Sequence, residues 1–287
     1  MDRKSKKSRK PEKTSKSRNK LTGIIGACIV VIIVLLVVFL SGRDPVVTFQ
    51  DPNLETAIRE ELDAPSGPIH ASDLAGLTRL EASFLGIVSL SGLQYCTSLT
   101  HLFLEANNIS DISPLASCAD LTELGLFSNR ISDVSPLASL TSLANLELDS
   151  NQLTDISPLA GLTNLVGLTL GSNQINDISP LTDLTDLTVL SLASNQISDI
   201  SPLADLTNLM VLLLPSNQIV DISALASLTS VRYIDLVSNQ ISNISPLVQN
   251  AALSEGDFVE LVDNPLSSDS INTYIPQLEA RGVTLNH

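Results

Sequence analysis

Asn107, Asn129, Asn151, Asn173, Asn195, Asn217 and Asn239 stand 22 residues apart, each inside a run of the general form L-x-x-L-x-L-x-x-N-x-I. A period that short and that strict builds a solenoid, because one such unit cannot bury its apolar face alone and must stack on copies of itself. A stack of this kind is an extended, repetitive surface. The question for function is therefore which residues that surface turns outward.

Charge divides the chain sharply. The first 20 residues carry ten basic side chains against Asp2 and Glu12, a net of +8, and no lysine follows Lys20. From Ser41 onward six arginines face 29 carboxylates, a net of −23, which argues against nucleic acid or anionic lipid as a partner of this part. Between the two regimes Leu21–Leu40 is twenty residues without a charge, enough to span roughly 30 Å of hydrocarbon as a helix. The reading is a transmembrane helix at 21–40 with a basic cytoplasmic tail at 1–20, the basic flank placing the rest outside the cell. A cleaved signal peptide is the rival, but the apolar run is long and no A-x-A-like site follows before Arg43. Ile25-Gly26-Ala27-Cys28 has the look of a lipobox, yet only seven apolar residues precede Cys28 and twelve follow, which suits a span better. Residues 41–48 read as a short tether that holds the folded part within about 30 Å of the membrane.

Asp51-Pro52-Asn53-Leu54 opens a helix, with Asp51 as N-cap, Pro52 at the first turn and Leu54, Ala57, Ile58 and Leu62 on one face. It makes residues 49–76 an N-terminal cap, which the first coil of a stack requires. The coils run from Leu77, position 1, to about Leu266, and positions 4, 6, 11, 14 and 17 are almost always aliphatic. Positions 3 to 7 are expected to form a parallel strand ladder at about 4.8 Å per coil. The stretch from Leu99 through Asn107 and Ile109 to Pro114-Leu115 resembles the 22-residue leucine-rich repeat of internalin-like bacterial surface proteins. That resemblance covers residues 77–266, about nine coils. It implies an α/β solenoid with a parallel sheet on the concave face, short turns or 3-10 segments on the convex face, and helical caps at both ends. Similar repeats occur in intracellular phosphatase-regulatory subunits, and the apolar segment at 21–40 sets this chain apart from those. The last coil arrives late, with Asn264 25 residues after Asn239, and Ser267 or Ser268 opens a C-terminal cap at 267–287. There a helix through Ile271, Tyr274, Ile275 and Leu278 should be kinked or interrupted by Pro276 and stopped by Gly282.

Two polar columns recur with the period. The Asn column, extended by Asn264, is read as a structural ladder, since an amide offers donors and an acceptor to backbone that turns out of the strand. Leu85 takes the Asn position in the first coil. Asp111, Asp133, Asp155, Asp177, Asp199 and Asp221, followed by Asn243, precede a Ser-Pro turn in most coils. One carboxylate per coil falls short of the roughly six to eight oxygens calcium takes, so solvated turn capping is favoured over metal. Cys96 and Cys118 share position 20, where later coils carry leucine, and read as a buried reduced pair, with a disulfide in an oxidising exterior as the alternative. Asn108-Ile109-Ser110 and Asn243-Ile244-Ser245 match the glycosylation sequon. No Ser/His/Asp, Cys/His or paired-carboxylate set recurs, and the expectation is a non-catalytic protein without cofactor or metal.

Positions 3, 5 and 7 point away from the core, so packing does not dictate their identity. In the N-terminal half they collect Glu105, Glu123, Glu147 and Asp149 around Phe103 and Phe127. The C-terminal half reads as apolar, through Val189, Val211, Leu213, Pro215, Tyr233, Val237, Phe258 and Val262. Contiguous exposed apolar surface of that kind marks a contact site. The expectation is a membrane-anchored extracellular protein that binds a protein or peptide on its concave face. Recognition of an envelope polysaccharide through Phe103 and Phe127, or a phosphatase-regulatory-like scaffold, are the alternatives.

Overall fold

The computed structural model describes residues 44–287. The basic tail, the proposed span at Leu21–Leu40 and the start of the tether lie outside the described residues; within them no helix is long and apolar enough to cross a membrane.

Ten short parallel strands form one continuous sheet: β3 (Arg79–Glu81), β4 (His101–Phe103), β5 (Glu123–Gly125), β6 (Asn145–Glu147), β7 (Gly167–Thr169), β8 (Val189–Ser191), β9 (Val211–Leu213), β10 (Tyr233–Asp235), β11 (Phe258–Glu260) and β12 (Thr284–Asn286). Like positions pair throughout, Glu123 with Asn145 and Asn145 with Gly167, so every column of the repeat is a row of neighbours across the sheet. Between β10 and β11 the partners are Tyr233 and Phe258, the longer coil absorbing its extra residues around α3 (Ser245–Gln249). The core is aliphatic: in the third coil Leu121, Leu124, Leu126, Ile131, Val134 and Leu137 are all at most 2% exposed. Burying each such side chain is worth about 1.5–3 kcal/mol, and only stacking makes it available. The return path is a 3-10 turn in most coils, for example Ser135–Leu137 and Ser179–Leu181, with proline at the start where its fixed φ suits the turn and its missing N–H costs nothing.

Regular strand stops at position 5, two residues short of the expected ladder. Position 8 explains this: Phe84, Ala106, Ser128, Ser150, Ser172, Ser194, Ser216 and Ser238 all take a left-handed φ of 52–63°. The backbone swings out of the sheet there, while position 6 and position 8 amides still reach the next coil, as Leu126 N–H to Glu147 C=O (2.8 Å) and Ser128 N–H to Asp149 C=O (2.9 Å). The swing is what leaves buried backbone groups for the Asn ladder to meet. Asn173 donates from Nδ2 to the carbonyls of Leu148 (3.0 Å) and Leu170 (3.0 Å), and its Oδ1 accepts from Leu153 N–H (3.0 Å). The same bonds recur at Asn129, Asn151, Asn195, Asn217, Asn239 and, less buried, Asn264.

The N-terminal cap contains more than the expected helix. Val46–Val47, read as tether, form β1 and pair antiparallel with β2 (Ile69–His70), an arrangement their β-branched side chains favour. Helix α1 (Pro52–Glu61) starts as expected, with Asp51 Oδ1 accepting from Asn53 N–H (2.9 Å) and Leu54 N–H (3.3 Å). The second oxygen of Asp51 reaches the first coil, accepting from Val88 N–H at 2.7 Å and Ser89 N–H at 3.3 Å. Burial pushes this carboxyl's pKa up, but its four backbone donors outweigh that and hold it below the ordinary aspartate range. A second helix, α2 (Ala71–Ala75), completes the cap, and Asn53 Nδ2 donates to Leu85 C=O (2.8 Å) where the ladder has no asparagine.

At the other end a helical stretch ends in α4 (Ile275–Glu279), and Pro276 does not break it. The five residues before α4, Ser270–Tyr274, are π-wound, with Ile275 N–H donating to Ser270 C=O; the wider register absorbs the bond that proline removes. Gly282, at φ 88°, turns the chain into β12, so the C-terminal cap is a helix plus a tenth strand.

Candidate functional site

Columns 3, 5 and 7 face outward from the sheet, as their alternation with buried positions 4 and 6 requires. In the C-terminal half Val189 (37%) and Phe258 (41%) are exposed, while Val211, Leu213, Pro215, Tyr233, Val237 and Val262 are half-buried. Tyr233 and Phe258 sit on adjacent strands with ring centroids 6.4 Å apart and planes 25° apart, a stacked pair at the end of the patch. The patch is less purely apolar than its sequence suggests: Asp235 and Glu260 occupy column 5 beside it. Desolvation first, then those two carboxylates, push the Tyr233 hydroxyl pKa up.

In the N-terminal half, Arg79 lays its guanidinium 4.8 Å from the centre of the Phe103 ring, a cation–π contact. Phe127 is 40% exposed. His101 Nε2 lies 3.9 Å from Glu123 Oε2. Glu105 accepts from the Ser83 hydroxyl, and Asp149 accepts from the Thr169 hydroxyl and from Gly171 N–H (2.7 Å). Burial and then the neighbouring Glu105, Asp149 and Glu123 raise the pKa of Glu147. Charge on this face is therefore held against repulsion, and a positively charged occupant would relieve it.

Between the halves lies a depression of about 350 Å³, lined among others by Phe103, Glu123, Gly125, Glu147, Gly167 and Val189. Its sequence signal is glycine inside a strand, which marks close approach of neighbouring groups. At Gly125 the Glu105 carboxylate occupies the space a Cβ would need, and at Gly167 and Gly171 a Cβ would stand 2.7 Å from Asn145 Oδ1 and Asp149 Oδ1. Gly125 and Gly167 line the depression, and the side chains they lack leave room for Glu105 and Asn145 to settle against the sheet there.

The aspartate column has a local role. Asp111, Asp133, Asp155, Asp177, Asp199 and Asp221 each accept from the serine N–H two residues on at 2.8 Å, and Asn243 does the same at 2.9 Å. Backbone donation from Ser179 and Ser201 lowers the pKa of Asp177 and Asp199. Among the described residues no three His, Cys, Asp or Glu side chains converge to hold a metal ion. Millimolar calcium is accordingly expected to leave the melting temperature unchanged; a rise of several degrees in a thermal melt would reject the turn-capping reading. Cys96 and Cys118 are fully buried free thiols, and burial pushes the Cys118 thiol up to about 12 and the Cys96 thiol higher still. Neither should react with a thiol reagent at pH 8 until the chain unfolds, and a stopped-flow trace with a fast native phase from these two positions would contradict that.

The Leucine Rich repeats family matches residues 120–161 and 163–205, and a further leucine rich repeat family matches 185–241. Among solved structures, internalin C2 from Listeria monocytogenes is 37% identical, with 83% of this chain and 94% of that chain covered and a TM-score of 0.69. An internalin of the same organism, inlF, is 32% identical over 83% of this chain and 75% of that chain, TM-score 0.69. The plant peptide hormone receptor RGFR1, in complex with RGF2, is 25% identical over 60% of this chain and 29% of that chain, TM-score 0.53. Curated protein sequences give no match.

Proposed function

The chain belongs to the internalin-like leucine-rich repeat proteins, and on that footing we propose that it binds a protein or peptide through its concave face, without a catalytic step of its own. The observation that carries the reading is the contiguous surface from Val189 through Leu213 to the stacked Tyr233–Phe258 pair. Nothing in the core or the caps requires those apolar side chains on an outer face, and exposed aromatic anchors of this kind concentrate binding energy. The plant receptor of the same fold, in complex with RGF2, supports the peptide class of ligand. The repeats are proposed to stand outside the cell, held by the apolar segment at 21–40 with the basic tail in the cytoplasm. Protease added to intact cells should then remove the repeats and spare the tail; a fully protected domain would contradict this placement.

Leu213→Asp or Tyr233→Asp tests the concave face directly. Each inserts a charge into a desolvated contact and should weaken capture of the partner by about 100-fold or more, while the melting temperature stays within a few degrees because both positions face outward. Polysaccharide recognition predicts the opposite pattern, with dependence on Phe103 and Phe127 and indifference to Leu213.

A further inference from the structure

The concave face changes character along its length, and the change has chemical consequences for what can lie on it. Glu123 and Glu147 line the depression, with Glu105 and Asp149 folded down beside it. All five arginines of the described residues have partners other than the carboxylates of the depression. Arg59 is paired with Glu55, Arg79 with Glu81, and Arg232 with Asp257, while Arg130 donates to Asn108 and Arg281 to the carbonyls of Val248 and Asn250. The described residues contain no lysine. The carboxylates of the depression therefore have no arginine or lysine partner within the described chain, and their disposition does not suit a metal ion. A second observation points the same way. Arg79 over Phe103 shows that an aromatic ring of this face accepts a guanidinium, and Phe127 presents a comparable ring, 40% exposed.

Resting on the concave-face reading above, we infer that the occupant is an extended peptide segment bearing an arginine or lysine that enters the depression between Glu123 and Glu147, followed by apolar residues that cross Leu213 and reach Tyr233 and Phe258. The charge complements an acidic cluster that meets the His101 imidazole at 3.9 Å from Glu123 and neutral donors such as the Ser83 and Thr169 hydroxyls, but no arginine or lysine among the described residues; burial first, and then the neighbouring carboxylates, raise the Glu147 pKa. The apolar portion covers Val189, which lines the depression and begins the patch. The sheet sets the spacing. From β6, which carries Glu147, to β9, which carries Leu213, is three strand steps, about 14 Å, and to β11 is five steps, about 24 Å. An extended chain advancing about 3.4 Å per residue therefore places its apolar anchors about four and seven residues from the basic one.

The test uses the full chain in detergent and fluorescein-labelled synthetic peptides, each with one arginine and with leucine and phenylalanine at increasing distances from it. A matched series carries glutamate in place of arginine. Anisotropy should detect binding of the arginine series, strongest near spacings of four and seven, weakening as salt rises, and at least about tenfold tighter than the glutamate series. The double variant Glu123→Gln, Glu147→Gln should lose about tenfold in affinity for the arginine peptides while melting no lower than the parent, since it removes repulsion rather than support. Equal or tighter binding of the glutamate series, still sensitive to Leu213→Asp, would overturn the charge inference and leave concave-face binding standing. Binding of no peptide at any spacing would overturn it as well, and capture of a partner from position 213 in cells would then show that the broader reading survives. Loss of affinity in Leu213→Asp with none in the double glutamine variant also counts against the basic residue.

Discussion

Asn173→Ala is expected to destabilise the folded repeats by about 3–5 kcal/mol. The side chain is 9% exposed, and removing it strands the Leu153 N–H and withdraws donors from the carbonyls of Leu148 and Leu170. Each buried group left without a partner costs about 1–3 kcal/mol, and the coil interior gives water little access to replace the amide. The loss falls on a middle coil, so it weakens both neighbouring interfaces of a stack whose stability is shared between adjacent units. Two comparisons make the expectation specific. Asn264→Ala, at the more open end of the ladder, should cost less, and Gln174→Ala, exposed and next in sequence, should stay within about 0.5 kcal/mol of the parent. Urea denaturation followed by circular dichroism measures all three; a cost for Asn173→Ala no larger than that for Gln174→Ala would mean the ladder is incidental.

Asp51 carries the second large effect. Its carboxylate caps α1 with one oxygen and holds the first coil with the other, so Asp51→Ala should cost about 2–4 kcal/mol, more than loss of a helix cap alone. Asp51→Asn keeps one accepting oxygen and should cost less. The pH dependence follows from the depressed pKa. A carboxyl held below its unfolded value contributes stability above about pH 4, and that contribution fades as pH falls through the folded-state value. The difference between parent and Asp51→Asn should therefore narrow as pH drops below about 4. A difference that is constant from pH 7 to pH 2.5 would rule out the charged double cap.

How far the sequence led depends on how local each feature is. Leucine, isoleucine and asparagine at fixed intervals announce the core and the ladder because every coil repeats the same packing problem, and Asp51-Pro52 announces α1 because capping is settled within one turn. The ends were harder to read. Pairing of Val46–Val47 with Ile69–His70, and of Thr284–Asn286 with β11, joins segments that no period links. The π-wound turn before Pro276 is a compromise between a missing N–H and the burial of Ile275 and Leu278, which a rule about proline alone does not contain. The outward columns were legible as a surface, since alternation fixes which side chains face out. Its depression was not, because it depends on what Gly125 and Gly167 lack and on how Glu105 and Asn145 settle against them. Leucine-rich core positions thus say why the chain stacks, and the residues between them are the ones free to answer to a proposed partner.

The most direct measurement of the central claim is site-specific photo-crosslinking in intact cells, with a photoreactive residue at position 213 on the concave face and, in a matched strain, at position 177 on a convex turn. Concave-face binding predicts a discrete adduct from 213 that disappears when Tyr233→Asp is introduced, and none of that mass from 177. No adduct from 213, or the same adduct from both positions, would contradict the account.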